Sequence, residues 1–99
     1  MSPARARKRE SEAPAHGRRY ASFGGIEVYA DGTIESEQRS GCLLGASATV
    51  MGVPDHASSY VMIEGPQVSI AAPVPASRSL VAHRFAATVN ELAHQLSAK

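Results

Sequence analysis

Tryptophan is missing from the chain, and the other aromatics amount to three Tyr and two Phe. A core so short of rings has to be assembled mostly from Val, Ile, Leu, Ala and Met. Cysteine occurs once, at Cys42. No disulfide can form within the chain, which fits a reducing compartment. No apolar run approaches the roughly 18 residues of a membrane-spanning helix. The first residues are charged and polar with no apolar stretch behind them, unlike a secretory signal. The expectation is a soluble, cytoplasmic protein without a transmembrane segment. Its 99 residues suffice for one small domain.

A net charge of +1 conceals an asymmetry. Arg5, Arg7, Lys8, Arg9, Arg18 and Arg19 all precede residue 20 and meet only Glu10 and Glu12 there, whereas the rest of the chain is mildly acidic. Residues 1–18 contain no large apolar side chain after Met1. Such a segment cannot bury enough surface to offset its ordering entropy. Two regions are therefore expected: a disordered basic arm over 1–18 and a folded body over 19–99.

Within the body, Ile26, Val28 and Ala30 alternate with Glu27 and Tyr29, the period of a half-buried strand. Asp31-Gly32 then supplies the residues of a two-residue hairpin turn, with Ile34 on the return strand. Leu44, Ala46, Ala48 and Val50 share one face of a further strand, and their small size predicts close packing over it. In "YVMIEGPQVSI" (60–70), Gly65-Pro66 interrupts two apolar runs. Pro66 has no donor for a ladder and presets φ for a turn, so the stretch reads as two strands joined tightly. Val68, Ile70, Ala72 and Val74 alternate on the second of them. Pro73 predicts that this strand lies at an edge near its end.

The last segment changes period. Val81, Phe85, Val89, Leu92 and Leu96 follow helical spacing, widened by Ala82, Ala86 and Ala93. This predicts a helix over about 77–97, capped by Ser77 or Ser79, with those five residues as its core face. Asn90 is a poor helix former in mid-helix: either it hydrogen-bonds a loop or an edge strand, or it simply faces water. An amphipathic helix of this kind is the natural cover for a one-sided sheet.

With these elements in place, the chain resembles a pleckstrin-homology-like (PH-like) domain of the small bacterial kind. More narrowly, it is similar to short proteins of actinobacteria and their phages. The stretches that carry the resemblance are Phe23 to Ile34, Leu43 to Val50, Val61 to Pro66 and Ala82 to Asn90, with "FAATVN" at 85–90. The resemblance implies an α+β fold: a small antiparallel sheet or partial barrel covered by one C-terminal helix. That group carries a longer segment where this chain has only "MGVPDHASSY" (51–60), which reduces the expected strand number to about five.

The chemistry-bearing residues do not assemble into a catalytic pattern. Cys42 has no Lys, Arg or His beside it in sequence to lower its pKa. His83 and His94 lie about 16 Å apart on one helix, too far to chelate one ion, and His56 has no visible partner. Glu35 and Glu37 read as solvated edge charges. Phe23-Gly24-Gly25 leads into a strand, not into the helix a phosphate loop requires. The sequence thus predicts a non-enzymatic interaction module with no cofactor and no metal. It would bind another protein through an exposed sheet edge or the groove between helix and strand, and it would self-associate. Tyr29, Met51, Tyr60 and Met62 are expected on an incompletely covered second face. The resemblance adds the expectation of a phage-encoded protein acting on a host component. Two alternatives stand beside this. One is a PH-like domain that binds lipid or an anionic ligand. The other is weak, non-specific nucleic-acid contact through Arg5, Arg7, Lys8, Arg9, Arg18 and Arg19.

Overall fold

The computed structural model describes residues 17–37, 39–52 and 59–98. The proposed arm therefore lies outside the described residues except for its last two positions. Of these, Arg18 is tied to the body, because the Ala30 amide donates to its carbonyl at 2.8 Å.

The fold is α+β, with two antiparallel sheets and one C-terminal helix. The first sheet holds β1 (Arg19–Phe23), β2 (Ile26–Tyr29), β3 (Thr33–Glu35) and β4 (Ser40–Cys42), hydrogen-bonded in that order. The second holds β5 (Ser47–Gly52), β6 (Ser59–Gly65) and β7 (Val68–Val74). A 3-10 turn, Ala76–Arg78, leads into the helix α1, Ser79–Ser97.

Seven strands replace the expected five or so. The two additions are β1 and β4. β1 is held by a two-residue turn in which Gly24 and Gly25 have φ of 56° and 85°. Phe23 pairs with Ile26 across that turn, the backbone a Gly-Gly hairpin provides. β4 forms because Thr33, Ile34 and Glu35 supply a ladder for Cys42, Gly41 and Ser40. The β2–β3 connection is three residues long instead of two. The Gly32 amide closes onto the Tyr29 carbonyl at 2.9 Å, and the Asp31 carboxylate accepts the Thr33 amide at 2.8 Å. The carboxylate draws one extra residue into the turn.

Alternation decides what each strand buries. Ile26, Val28 and Ile34 point inward from the first sheet, and Val61, Ile63, Val68, Ile70, Ala72 and Val74 from the second. Leu43 is fully buried between the sheets, whereas Leu44 is 45% exposed. This corrects the expected inward face of the fifth strand. Leu44 and Gly45 form a turn closed by the Ala46 amide on the Leu43 carbonyl, so β5 starts only at Ser47.

The helix packs on β5 and β1. Its buried face is Ala82, Phe85, Ala86, Val89, Leu92 and Ala93, with Leu96 half-buried. Val81 does not belong to the core face: it is 44% exposed. The helix approaches the sheets on its alanine side, where small side chains allow close contact. That rotates Val81 outward at the first turn. Phe85 meets Phe23 with ring centroids 5.7 Å apart, and the Arg78 guanidinium sits 5.4 Å from the centre of the Phe23 ring. Neither Ser77 nor Ser79 caps the helix with its side chain; the Arg78 amide instead closes the 3-10 turn on the Pro75 carbonyl.

Candidate functional site

The two sheets adjoin at one seam. The Cys42 amide donates to the Gln67 carbonyl at 3.2 Å, which sets the start of β7 beside β4. Only glycine fits at position 41 there. A Cβ at Gly41 would collide with the Gln67 carbonyl oxygen and lie 3.0 Å from the Val68 Cβ. Taken through this seam, the strand order runs β1-β2-β3-β4-β7-β6-β5. β1 and β5 are its outer strands, and α1 touches both. The sheet is not closed.

Asn90 stands where the helix meets the outer strand. Its Nδ2 donates to the Ala48 carbonyl and its Oδ1 accepts the Ala48 amide, both at 2.8 Å. The carboxamide thus behaves as one residue of a neighbouring strand. It satisfies two backbone groups that β5 would otherwise leave open.

This contact fixes which way every backbone group on β5 points. N–H and C=O groups of one residue in an antiparallel strand point to the same side, and the side alternates along the chain. Ala48 faces away from β6, so Val50 and Gly52 face away too, while Met51 bonds inward to Tyr60. Among the described residues nothing hydrogen-bonds to the outward groups of Val50 and Gly52. Beyond Asn90, then, the edge of β5 is open among the described residues.

The same alternation settles β7. Its outward groups are those of Ser69, Ala71 and Pro73, with Gln67 just before it. Gln67 is engaged by Cys42, and Pro73 has no N–H to offer, so that edge is interrupted at both ends. Pro73 thus sits near the end of β7, the last strand of its three-stranded sheet, with its missing donor on the side away from β6.

The solvent face of the second sheet beside the β5 edge is apolar. Cross-strand register aligns Met51, Tyr60 and Pro73 in one row and Thr49, Met62 and Ala71 in the next. Met51 is 53% and Tyr60 40% exposed, and Met62 is half-buried. The charge on this face, Glu64, lies at the opposite end beside Ser47 and Ser69. Tyr29 occupies the outward face of β2, on the first sheet and apart from this group.

A shallow cleft of about 280 Å³ lies near the seam, lined by Arg39, Ser40, Gln67, Val68, Ser69 and the Gly65-Pro66 turn. Its one cationic side chain is Arg39. Of the basic residues nominated from sequence, Arg5, Arg7, Lys8 and Arg9 lie outside the described residues. Arg18 is exposed, and Arg19 is paired with Glu27 at 3.1 Å. Among the described residues no three His, Cys, Asp or Glu side chains converge as a metal site would require. No described helix is long and apolar enough to cross a membrane. Cys42 is half-buried, and its sulfur accepts the Leu44 amide at 3.5 Å.

An exposed sheet edge was expected from sequence, but not that β5 would carry it. Its signal was indirect: an asparagine in mid-helix whose side chain needs a partner. No known family model matches the chain, and no curated protein or solved structure does either.

Proposed function

We propose that the protein is a non-enzymatic interaction module of PH-like architecture that docks another protein chain along the outer edge of β5. The observation that carries this reading is the pair of outward backbone positions, Val50 and Gly52, flanked by exposed Met51 and Tyr60. An edge strand offers main-chain hydrogen bonds, and the neighbouring apolar face offers side-chain contact, the two ingredients of strand addition. Exposed edges of this kind are usually blunted by charge, proline or a covering element. Asn90 does this at Ala48, and nothing described does it at Val50.

The reading that the domain takes an anionic ligand rests on less. The cleft at the seam contributes a single cation, Arg39, and a headgroup with several phosphates calls for more positive charge than that. A phage origin and a host target accompany the resemblance in sequence and would make the docked chain a host protein.

Amide chemical shifts separate these readings. The full chain is titrated with a panel of extended peptides and, separately, with inositol phosphates. Docking at the edge predicts that peptides move the amides of Val50, Met51 and Gly52. Movement confined to Arg39, Ser40 and Ser69 on addition of phosphates would replace this reading with the anionic one.

A further inference from the structure

We infer that the strand which docks on β5 is β5 of a second copy of the chain, paired antiparallel about a two-fold axis at Met51. The inference rests on the docking reading above and names its partner.

The first argument is the length of the edge. Asn90 closes it at Ala48, so the described edge offers two outward residues, Val50 and Gly52. A two-fold axis at Met51 places Val50 of each copy opposite Gly52 of the other. Each such pair exchanges two N–H···O=C bonds. Four hydrogen bonds thus form between two residues of each copy, and the open edges of both copies close at once. A foreign strand makes the same four bonds but closes the edge of one copy only.

The second argument is electrical. The rows Met51–Tyr60–Pro73 and Thr49–Met62–Ala71 carry no charge. A two-fold interface sets a surface against itself, where any charge near the axis meets its like. A surface without charge near the axis is the kind that tolerates this. The row through Met51 would continue into its mate, giving one apolar band of six side chains across a six-stranded sheet. Met51 and its mate would form the central non-hydrogen-bonded pair, the closer of the two antiparallel spacings.

The test uses the full chain. Sedimentation equilibrium on the parent should give twice the 10.4 kDa chain mass at high micromolar concentration. Met51→Lys sets two ammonium groups against each other at the axis and should weaken association about tenfold or more. The residue is 53% exposed, so the fold should survive, and an unchanged melting temperature in dilute solution checks that. A second variant fixes the geometry. With Cys42→Ser as background, Met51→Cys places two thiols at a Cα separation of about 4.5 Å, within disulfide range. Mild oxidation should cross-link it, and should leave Ser69→Cys on β7 uncross-linked.

A dimer that ignores Met51→Lys and cross-links through Ser69→Cys would overturn the inference in favour of the β7 edge. A monomeric parent that still binds an extended peptide at Val50 would overturn self-pairing while leaving the docking reading standing. A monomeric parent with no peptide bound at β5 would overturn both.

Discussion

Asn90 holds both backbone groups of Ala48, 42 positions earlier in the chain, with two hydrogen bonds of 2.8 Å. This one side chain ties the helix to the outer strand and ends the open part of the edge. Asn90→Ala leaves an amide and a carbonyl without partners and should cost about 1–3 kcal/mol. Asn90→Asp can accept from the amide but turns a carboxylate oxygen toward the carbonyl, so at neutral pH it should be no better. Urea denaturation reads both. Unchanged midpoints would show that water replaces the carboxamide at no cost.

The helix offers an internal comparison. Phe85 is 5% exposed and packs on Phe23, whereas Val81, four residues earlier, is 44% exposed. Phe85→Ala should cost about 3–5 kcal/mol. A domain of this size has about 5 kcal/mol to lose, so the variant should be largely unfolded. Val81→Ala should stay within about 0.5 kcal/mol of the parent. Equal losses at the two positions would contradict the helix orientation described here.

Gly41→Ala tests the seam. The added methyl has to displace the Gln67 carbonyl or the Val68 side chain, and the Cys42–Gln67 hydrogen bond lies beside it. The expected loss is about 1–3 kcal/mol, the range for overpacking. In the exchange-resistant amide set, Cys42 should lose protection first. A variant as stable as the parent would mean that β4 and β7 can separate freely.

Much of this fold is legible in the sequence where a local period exists. The alternation of Ile26 and Val28, that of Val68 to Val74, and the helical stripe of Phe85, Val89 and Leu92 each announce their element. β4 has no such period: Ser40-Gly41-Cys42 is a strand only because β3 lies beside it. β1 reads poorly because its pairing is irregular between Arg19 and Ala21, so alternation breaks at Tyr20. The helical stripe also contained its own ambiguity. Valine at 81 and alanine at 82 both fit the spacing, and the closeness of the sheet selected alanine. That an edge would be exposed was legible, but not that β5 carries it, since which strand lies outermost depends on pairings between distant segments.

The basic arm yields a bounded expectation. Deleting residues 1–16 removes no apolar side chain larger than Met1 or proline, so the melting temperature should hold. If Arg5, Arg7, Lys8, Arg9, Arg18 and Arg19 all met phosphates, the slope of log affinity on log salt would be about −5 for duplex DNA. Arg19 is already engaged by Glu27, so a shallower slope is expected, with no preference among sequences. Tight, sequence-selective binding by the parent would reverse the ranking of functions given above.

The account turns on the edge of β5, and hydrogen exchange at two neighbouring amides tests it most directly. The Ala48 amide is bonded to Asn90 within one chain and should be protected at every protein concentration. The Val50 amide points the same way, two residues on, with a partner supplied only by a second β5. Its protection should be slight in dilute solution and rise with concentration, in step with the dimer measured by sedimentation. A Val50 amide that exchanges at one fast rate from micromolar to millimolar protein, while Ala48 stays protected, would contradict the pairing of β5 with itself.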